Sequence, residues 1–296
     1  VGMATNLAPH NLAEVVNATR FLLDHPKATL DELMTFIPGP DFATGGVIIG
    51  LAGIRDAYET GKGTFKVRAR TKIEQVSARK RGIVVTELPA NIGPERVIER
   101  VKDLVIAKKL QGISDIVDLT DGDSGLNLVI ECKSAFSPEA VLEQLFKLTP
   151  MEDSFNINAV ALVDGQPVTM GLKRLIEVFI DHRIHVVTRR SRYRKEVAAS
   201  RLHLVDGLLI AIADIDEVIQ VIRNSDDTSA ARARLIEIFN LTEIQANYIL
   251  EMPLRRLTKF SRIELRTESD QLRSTIVDLE SLLEDESGLR ALVSSE

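Results

Sequence analysis

The feature that most constrains this chain is a long row of apolar residues spaced three and four apart, beginning near Leu172. The row pauses near Arg201 and resumes at Val205 without an intervening proline, which predicts a helix of about fifty residues. Such a helix would reach on the order of 75 Å, far more than a compact domain needs, so it requires a partner along its length. The row consists of Leu172, Leu175, Phe179, His182 and Val186, followed by Val205, Leu208, Ile212, Ile215, Ile219 and Ile222.

A second and shorter heptad row lies downstream, from Leu265 to Leu283. An antiparallel coiled coil with a small inserted cap accommodates both rows. We expect this cap to extend from Thr228 to Thr258. Within it, Thr242 and Gln245 form a T-x-x-Q capping box that predicts the start of a helix, and Pro253 is expected to end or kink that helix.

The first part of the chain, residues 1–168, instead alternates helix and strand signals and is predicted to form one α/β unit. The predicted fold class is therefore α+β. Asp164-Gly165 is expected to form a turn with positive φ angles. Helices are predicted from Asn11 to Leu23, from Pro94 to Leu110 and from Ser137-Pro138 to about Leu148, and strands at Phe65–Ile73, Ile83–Leu88, Leu126–Cys132 and Ala159–Val163.

The predicted strand Phe65–Ile73 carries a candidate binding surface, because its apolar residues alternate with four cations. Side chains two residues apart on one face are separated by roughly 6.6 to 6.8 Å, close to the phosphate repeat along a DNA strand. A solvated sheet face is the alternative, and the strand by itself does not exclude it. The candidate DNA-binding residues are Lys66, Arg68, Arg70 and Lys72, together with the neighbouring Arg79, Lys80 and Arg81.

A second basic cluster lies on the long predicted helix. Its side chains would project all round the helix, so a solvated stretch is the favoured interpretation. The cluster consists of Arg189, Arg190, Arg192, Arg194, Lys195 and Arg201.

Composition limits the remaining possibilities. A net charge of -6 gives no overall attraction to nucleic acid, so any DNA contact must come from a local patch. The sequence has neither an apolar run of about 20 residues nor a signal sequence, which predicts a cytoplasmic protein. The single cysteine, Cys132, is expected to be a small buried side chain. Because the chain begins at Val1 and stops at Glu296 just beyond a helical pattern, we expect a piece of a longer protein.

Known ligand-binding motifs are missing from the sequence. The five histidines lack recognised metal-ligand spacing, and the segment DLTDGDSG lacks the closing glutamate of a calcium loop. The glycines fit neither a dinucleotide fingerprint nor a P-loop. We therefore expect no metal site, no catalytic residue and no cofactor in this chain.

Several segments, in order, resemble the A subunit of bacterial type IIA topoisomerases, the family of DNA gyrase and topoisomerase IV. They cover essentially the whole chain. They are VGMATNLAPHNL, IPGPDFATGG, GTFKVRART, VTELPANIGPERVIERV, KLQGISDIVDLTD, LVDGQPVTMGLKRLIEVFIDHR and LTEIQANYILEMPLRRLT.

The resemblance implies a part of the DNA breakage-reunion subunit of an ATP-dependent enzyme that changes DNA topology by double-strand passage. Residues 1–168 would be a tower-like α/β domain, 169–227 the ascending coiled-coil arm, 228–258 a helical exit gate and 259–296 an incomplete returning arm. The catalytic tyrosine of the family lies upstream of VGMATN. Tyr58, Tyr193 and Tyr248 match neither its position nor its context, so this chain by itself should be inactive.

The resemblance also implies partners: double-stranded DNA, a second copy of the chain through the coiled-coil tip, and a B subunit that completes an A2B2 complex. Mg2+ and ATP would act through that B subunit, and the complex would be associated with the chromosome. The residues expected to hold two exit gates together are Ile244, Tyr248, Ile249, Leu250, Met252 and Leu254.

Two alternatives stay open at this point. One is a structural coiled-coil dimerisation protein without a role on DNA, which would explain the apolar rows and the negative charge. The other concerns the branch of the family, since the domain that distinguishes gyrase from topoisomerase IV is not in this sequence. The wording of FIPGPDFATGG and EMPLRRLTKF leans towards topoisomerase IV.

Overall fold

The computed structural model describes residues 4–77, 80–123, 125–253 and 262–296. It is a mixed helix and strand structure, compatible with the predicted α+β class, and all its described strands precede residue 170. The chain divides into two compact units, Val1–Ile180 and Asp181–Glu296. None of the helices in the described residues is long and apolar enough to span a bilayer.

The first unit contains five helices and nine strands among its described residues, followed by the start of a sixth helix. The helices are α1 (Leu12–Asp24), α2 (Leu30–Met34), α3 (Ala52–Thr60), α4 (Pro94–Ile106), α5 (Pro138–Leu148) and α6 (Leu172–Ala213). The strands are β1 (Val47–Ile49), β2 (Lys62–Arg68), β3 (Arg70–Ser77), β4 (Lys80–Glu87), β5 (Ile113–Asp118), β6 (Leu128–Cys132), β7 (Glu152–Asn158), β8 (Val160–Val163) and β9 (Gln166–Thr169).

These strands form three antiparallel sheets, in the orders β1-β2-β7, β3-β4-β6-β5 and β8-β9. The turn between β8 and β9 is Asp164-Gly165, with φ angles of 51° and 80°, so the predicted positive-φ turn is confirmed. The helix predicted from Pro94 to Leu110 ends earlier, at Ile106, because Lys108 adopts a left-handed φ of 58°.

The prediction of one continuous strand from Phe65 to Ile73 was wrong. The segment forms two strands, β2 and β3, that belong to different sheets. The residue between them, Ala69, is buried and donates its backbone N–H to the carbonyl oxygen of Met151 at 2.7 Å. The alternation of apolar and basic residues continues across this break, which is why the sequence pattern did not reveal it.

One hydrophobic core of the first unit lies between the four-stranded sheet and helices α4 and α5. Burial of each large aliphatic side chain contributes about 1.5 to 3 kcal/mol before the entropy of ordering it is subtracted. Cys132 is buried in this core as predicted. Other members are Ile83, Val85, Val97, Val101, Leu104, Leu128, Ile130, Val141 and Leu145.

Helix α3 packs closely on strand β2 because two glycines face each other. A Cβ added to Gly53 would lie 1.9 Å from the carbonyl oxygen of Thr64, and one added to Gly63 would lie 2.2 Å from the carbonyl oxygen of Gly53. One contact is with the backbone of β2 and the other with the backbone of α3, so no side-chain movement can relieve either of them. The close approach therefore requires glycine at both positions and fixes α3 against the strand that carries Lys66 and Arg68.

The second unit is helical throughout its described residues. After α6 come α7 (Ile215–Arg223), α8 (Thr228–Phe239), α9 (Glu243–Glu251), α10 (Arg262–Glu284) and α11 (Glu286–Ser295). The predicted capping box is confirmed: Thr242 and Gln245 each bond the other's backbone N–H, and α9 ends before Pro253. The core of this unit includes Val205, Leu208, Val218, Leu235, Ile249 and Leu265.

Helix α6 is 42 residues long, but the row predicted to face its partner is only partly buried. Phe179 is 54% exposed, whereas the next residue, Ile180, is buried, and the same one-residue offset places Val187 inside rather than Val186. The predicted interior position of Phe179 and His182 was therefore wrong. Helix α6 has two adjacent apolar rows, one through Phe179 and Val186 and one through Ile180 and Val187. The elements that pack against the helix determine which of the two rows is buried.

Candidate nucleic-acid interface

Two of the predicted DNA-binding cations, Lys66 and Arg68 on β2, share one carboxylate. Glu152 lies opposite Arg68 on the neighbouring strand β7. Its two oxygens accept from the Lys66 ammonium at 2.8 Å and from the Arg68 guanidinium at 2.6 Å. The Arg68 guanidinium also lies 4.5 Å from the centroid of the Phe146 ring, a cation–π contact that restrains it.

The Glu152 carboxyl responds to both its burial and its partners. Burial acts to raise the pKa of Glu152, but the hydrogen bonds from Lys66 and Arg68 outweigh that effect, and the pKa lies below its ordinary value. The group is therefore ionised at neutral pH. Two cations and one anion leave this cluster with a net charge of +1.

Arg70, the first residue of β3, is paired with Glu87 at the end of β4, at 2.9 Å. The Glu87 carboxylate also accepts the backbone N–H of Gly46 at 2.6 Å. The Gly46 N–H, and then the Arg70 guanidinium, lower the pKa of Glu87. This carboxylate thus joins Arg70 to the Gly45-Gly46 loop.

The cations that follow the β3–β4 connection are also paired. Lys80 lies 2.8 Å from Glu131, and Arg81 lies 3.2 Å from Glu139. Arg79 lies outside the described residues.

Lys72 differs from the other candidates. It is exposed on β3 and forms no ion pair within the ranges that the structure describes. An exposed, uncompensated ammonium is available to a phosphate without the loss of an existing partner. Among the candidates that the structure describes, Lys72 is therefore the one whose positive charge is least neutralised by its surroundings.

The carboxylates that compensate these cations could not be identified from the sequence. Glu152 is separated from Arg68 by 84 positions and Glu131 from Lys80 by 51, so only strand pairing brings them together. Nothing in the local sequence signals this pairing. Five of the six described candidate cations are paired with four carboxylates, and Lys72 is the sixth. Together these ten groups have a net charge of +2; the carboxylates are Glu87, Glu131, Glu139 and Glu152.

The residues predicted for the exit gate occupy different environments. Ile244 on α9 is 65% exposed, whereas Ile249 is 1% exposed and belongs to the core of its own unit. Leu250 and Met252 are partly buried against the same core. The Tyr248 hydroxyl accepts a hydrogen bond from Arg201 at 3.3 Å. Leu254 lies outside the described residues.

Comparison with known proteins defines the class of this chain. The family model for the A subunit of DNA gyrase and topoisomerase IV matches residues 1–296. The chain therefore belongs to the family of DNA gyrase and topoisomerase IV A subunits, and the resemblance stated from the sequence is confirmed.

Individual relatives make the similarity more specific. The chain is 44% identical over 296 residues to the DNA gyrase A subunit of Brachyspira hyodysenteriae and 43% identical to that of Clostridium acetobutylicum, and covers 36% of each. It is 42% identical over 298 residues to the chloroplastic/mitochondrial DNA gyrase A subunit of Nicotiana benthamiana, of which it covers 32%. All of this chain is matched in each comparison, and it spans about a third of the length of these relatives.

These findings bear on the two alternatives left open by the sequence. The first alternative was a structural coiled-coil dimerisation protein without a role on DNA. The family match over the full chain does not favour it. The relatives named above belong to gyrases, whereas the wording of two motifs leaned towards topoisomerase IV, and the family description covers both enzymes.

Proposed function

We propose that this chain acts in the DNA breakage-reunion subunit of a type IIA topoisomerase, which changes DNA topology by passing one duplex through a double-strand break in another. The observation that carries the proposal is the family match over residues 1–296. The chain contributes the flank of the DNA gate, the arm and the exit gate, while the tyrosine nucleophile lies elsewhere in the full-length protein.

Residues 1–168 form the tower-like domain in this proposal, and residues 169–227 and 259–296 form the two halves of a coiled-coil arm around a gate at 228–258. The ion pairs of the second unit support an antiparallel arm. Arg190, Lys195 and Arg201 on α6 pair with residues of decreasing number, Glu296, Glu280 and Glu268. An antiparallel pair of helices gives this order, and a parallel pair gives the reverse.

The strand cations hold the DNA backbone along β2 and β3. The net positive charge of the Lys66, Arg68 and Glu152 cluster supports this role, as does Lys72, which has no ion pair within the described ranges. Release of counterions from the DNA offsets a bending cost of about 1 to 6 kcal/mol. Because most candidate cations are already paired, Lys72 makes the largest individual contribution.

Two copies of the chain associate through the tip of the arm, where the exposed Ile244 supports an apolar contact. A B subunit supplies ATP hydrolysis and Mg2+, and the assembled A2B2 complex works on chromosomal DNA in the cytoplasm.

The DNA contact is tested by replacing Lys72 with Gln and measuring duplex affinity over a range of salt concentrations. Loss of one phosphate contact should weaken binding similarly for all sequences and reduce the slope of log affinity against log salt by about 1. The matched control is Lys102→Gln, which removes an exposed lysine from α4. Equal slopes for the two variants would contradict the DNA contact proposed for β3.

A further inference from the structure

The basic cluster on α6 is not a uniformly solvated stretch. Arg190, Lys195 and Arg201 form ion pairs with carboxylates of the neighbouring helices. Arg189, Arg192 and Arg194 form no ion pair among the residues that the structure describes. The structure thus separates the cluster into cations that join helices and cations whose charge is uncompensated.

Arg189 and Arg192 line one groove. It has a volume of about 360 Å³ and lies between α6 and the first turns of α11. His185, Arg189 and Arg192 are spaced by four and three residues, so they project from the same face of α6. The titratable groups that line the groove are Asp181, His185, Arg189, Arg192, Glu286 and Arg290.

The charges in this groove favour an anion. Arg290 is paired with Glu286 at 3.2 Å, which neutralises both. Among the groups that line the groove, three arginines outnumber the two carboxylates, and the excess lies on the α6 side. The N-terminus of α11 is already capped by the Asp285 carboxylate, which accepts the Ser287 backbone N–H, so the excess positive charge comes from Arg189 and Arg192. Guanidinium groups present parallel N–H donors that match the oxygens of a phosphate.

We propose that this groove is a phosphate-binding site, with Arg189 and Arg192 as its main ligands and His185 as a further donor. It is separate from the strand cations of the first unit. The phosphate is either a group of a DNA backbone or a free inorganic or nucleotide phosphate, and these sources share the same recognition chemistry.

The site is tested with pyrophosphate and with a short DNA duplex as separate probes, by titration calorimetry and fluorescence anisotropy. The double variant Arg189→Gln/Arg192→Gln should weaken pyrophosphate binding by at least about tenfold, because two charge-assisted contacts are lost. The control Arg194→Gln/Arg223→Gln removes the same charge from exposed positions outside the groove and should leave binding within about twofold.

A second variant tests the groove in the opposite direction. Glu286→Gln removes a carboxylate that lines the groove and releases Arg290, so pyrophosphate should bind several-fold more tightly. A purely structural role for the Glu286–Arg290 pair predicts no such gain.

The two probes distinguish the source of the phosphate. Parallel loss of pyrophosphate and duplex binding in the double variant assigns the groove to the DNA backbone, and loss of pyrophosphate binding alone assigns it to a free phosphate. Unchanged affinity for pyrophosphate in the double variant, or no binding of pyrophosphate by the unmodified chain, overturns the proposal. Since Lys72 lies in the other unit, its replacement should leave pyrophosphate binding unchanged whether or not the strand contacts DNA.

Discussion

Glu152 determines how much positive charge strand β2 presents. Its side chain is 11% exposed and accepts from both Lys66 and Arg68, so neither cation is fully available to an external phosphate. A DNA phosphate that approaches Lys66 or Arg68 competes with this carboxylate. In the proposed DNA contact, the residue that limits the available positive charge is therefore an acid, Glu152.

Replacing Glu152 with Gln should have two opposite effects. The free energy of unfolding should fall by about 1 to 2 kcal/mol, because a charge-assisted interaction with two cations is lost. Duplex DNA affinity should rise, since Lys66 and Arg68 become uncompensated. Thermal unfolding and anisotropy titrations measure the two effects, and Asp153→Asn, which removes an exposed neighbouring charge, is the control. A variant that bound DNA more weakly would contradict the competition.

His10, which is partly buried, and the buried Tyr58 form a pair whose protonation affects stability. His10 Nδ1 lies 2.9 Å from the carbonyl oxygen of Ala8, which can only accept, so Nδ1 carries the proton. Nε2 then accepts from the Tyr58 hydroxyl at 2.8 Å. Burial lowers the pKa of His10 below its ordinary value of 6.5 and raises the pKa of Tyr58. The folded chain therefore holds His10 neutral.

Because His10 is held neutral in the folded chain, we expect the free energy of unfolding to decrease as the pH falls through 6.5. Below that value the unfolded chain binds a proton at His10 that the folded chain resists, until the lower folded pKa is reached. Melting temperatures from about pH 8 to about pH 5.5 should decline in the unmodified chain and less steeply in His10→Gln. The exposed His25 provides a control, since His25→Gln should keep the decline. Equal declines in all three proteins would rule out this role of His10.

At the scale of elements, the start of α9 depends on a small set of hydrogen bonds. Thr242 Oγ1 accepts the Gln245 backbone N–H at 3.3 Å and lies 2.7 Å from His203 Nε2. The Gln245 side chain donates to the carbonyl oxygen of His203 at 2.7 Å. Glycine at 207 permits this approach, since a Cβ there would lie 2.7 Å from Gln245. The cap thus joins α9 to α6 as well as starting α9.

Replacing Thr242 with Ala should therefore cost about 1 kcal/mol for the lost cap, and somewhat more if the bond to His203 is also lost. Thr242→Ser should retain most of the stability because it keeps the hydroxyl. Thr275→Ala serves as a further control, since Thr275 is exposed within α10 and bonds only its own helix. Thermal denaturation of the three variants is the measurement, and equal stability of Thr242→Ala and Thr275→Ala would show that the cap adds nothing.

The helices and turns could be predicted from the sequence more completely than the contacts that these elements make with distant parts of the chain. The capping box of α9, the Asp164-Gly165 turn and the helix beginning at Pro138 depend on residues adjacent in the chain, so their signals are complete locally. The break at Ala69 and the burial of Ile180 in place of Phe179 depend on which distant element covers each face. The same limit applies to the site: its cations were visible in the sequence, but their carboxylate partners were not.

At the scale of the whole molecule, the distribution of charge explains how an acidic chain accommodates two basic regions. The net charge is -6, yet acids of α10, Glu268 and Glu280, are used to pair with bases of α6. Acids of the last third therefore serve as ion-pair partners within the helical unit. Within the described part of these basic regions, the positive charge that no ion pair offsets is local: at Lys72, in the Lys66, Arg68 and Glu152 cluster with its net charge of +1, and at Arg189, Arg192 and Arg194.

The proposed function requires that the chain form a dimeric clamp for duplex DNA. Analytical ultracentrifugation of the chain with a labelled duplex, at low and high salt, tests it most directly. We expect a species of twice the 32.8 kDa chain mass, bound to DNA irrespective of sequence and released as salt rises. A monomer whose DNA affinity is absent or indifferent to salt would contradict the claim.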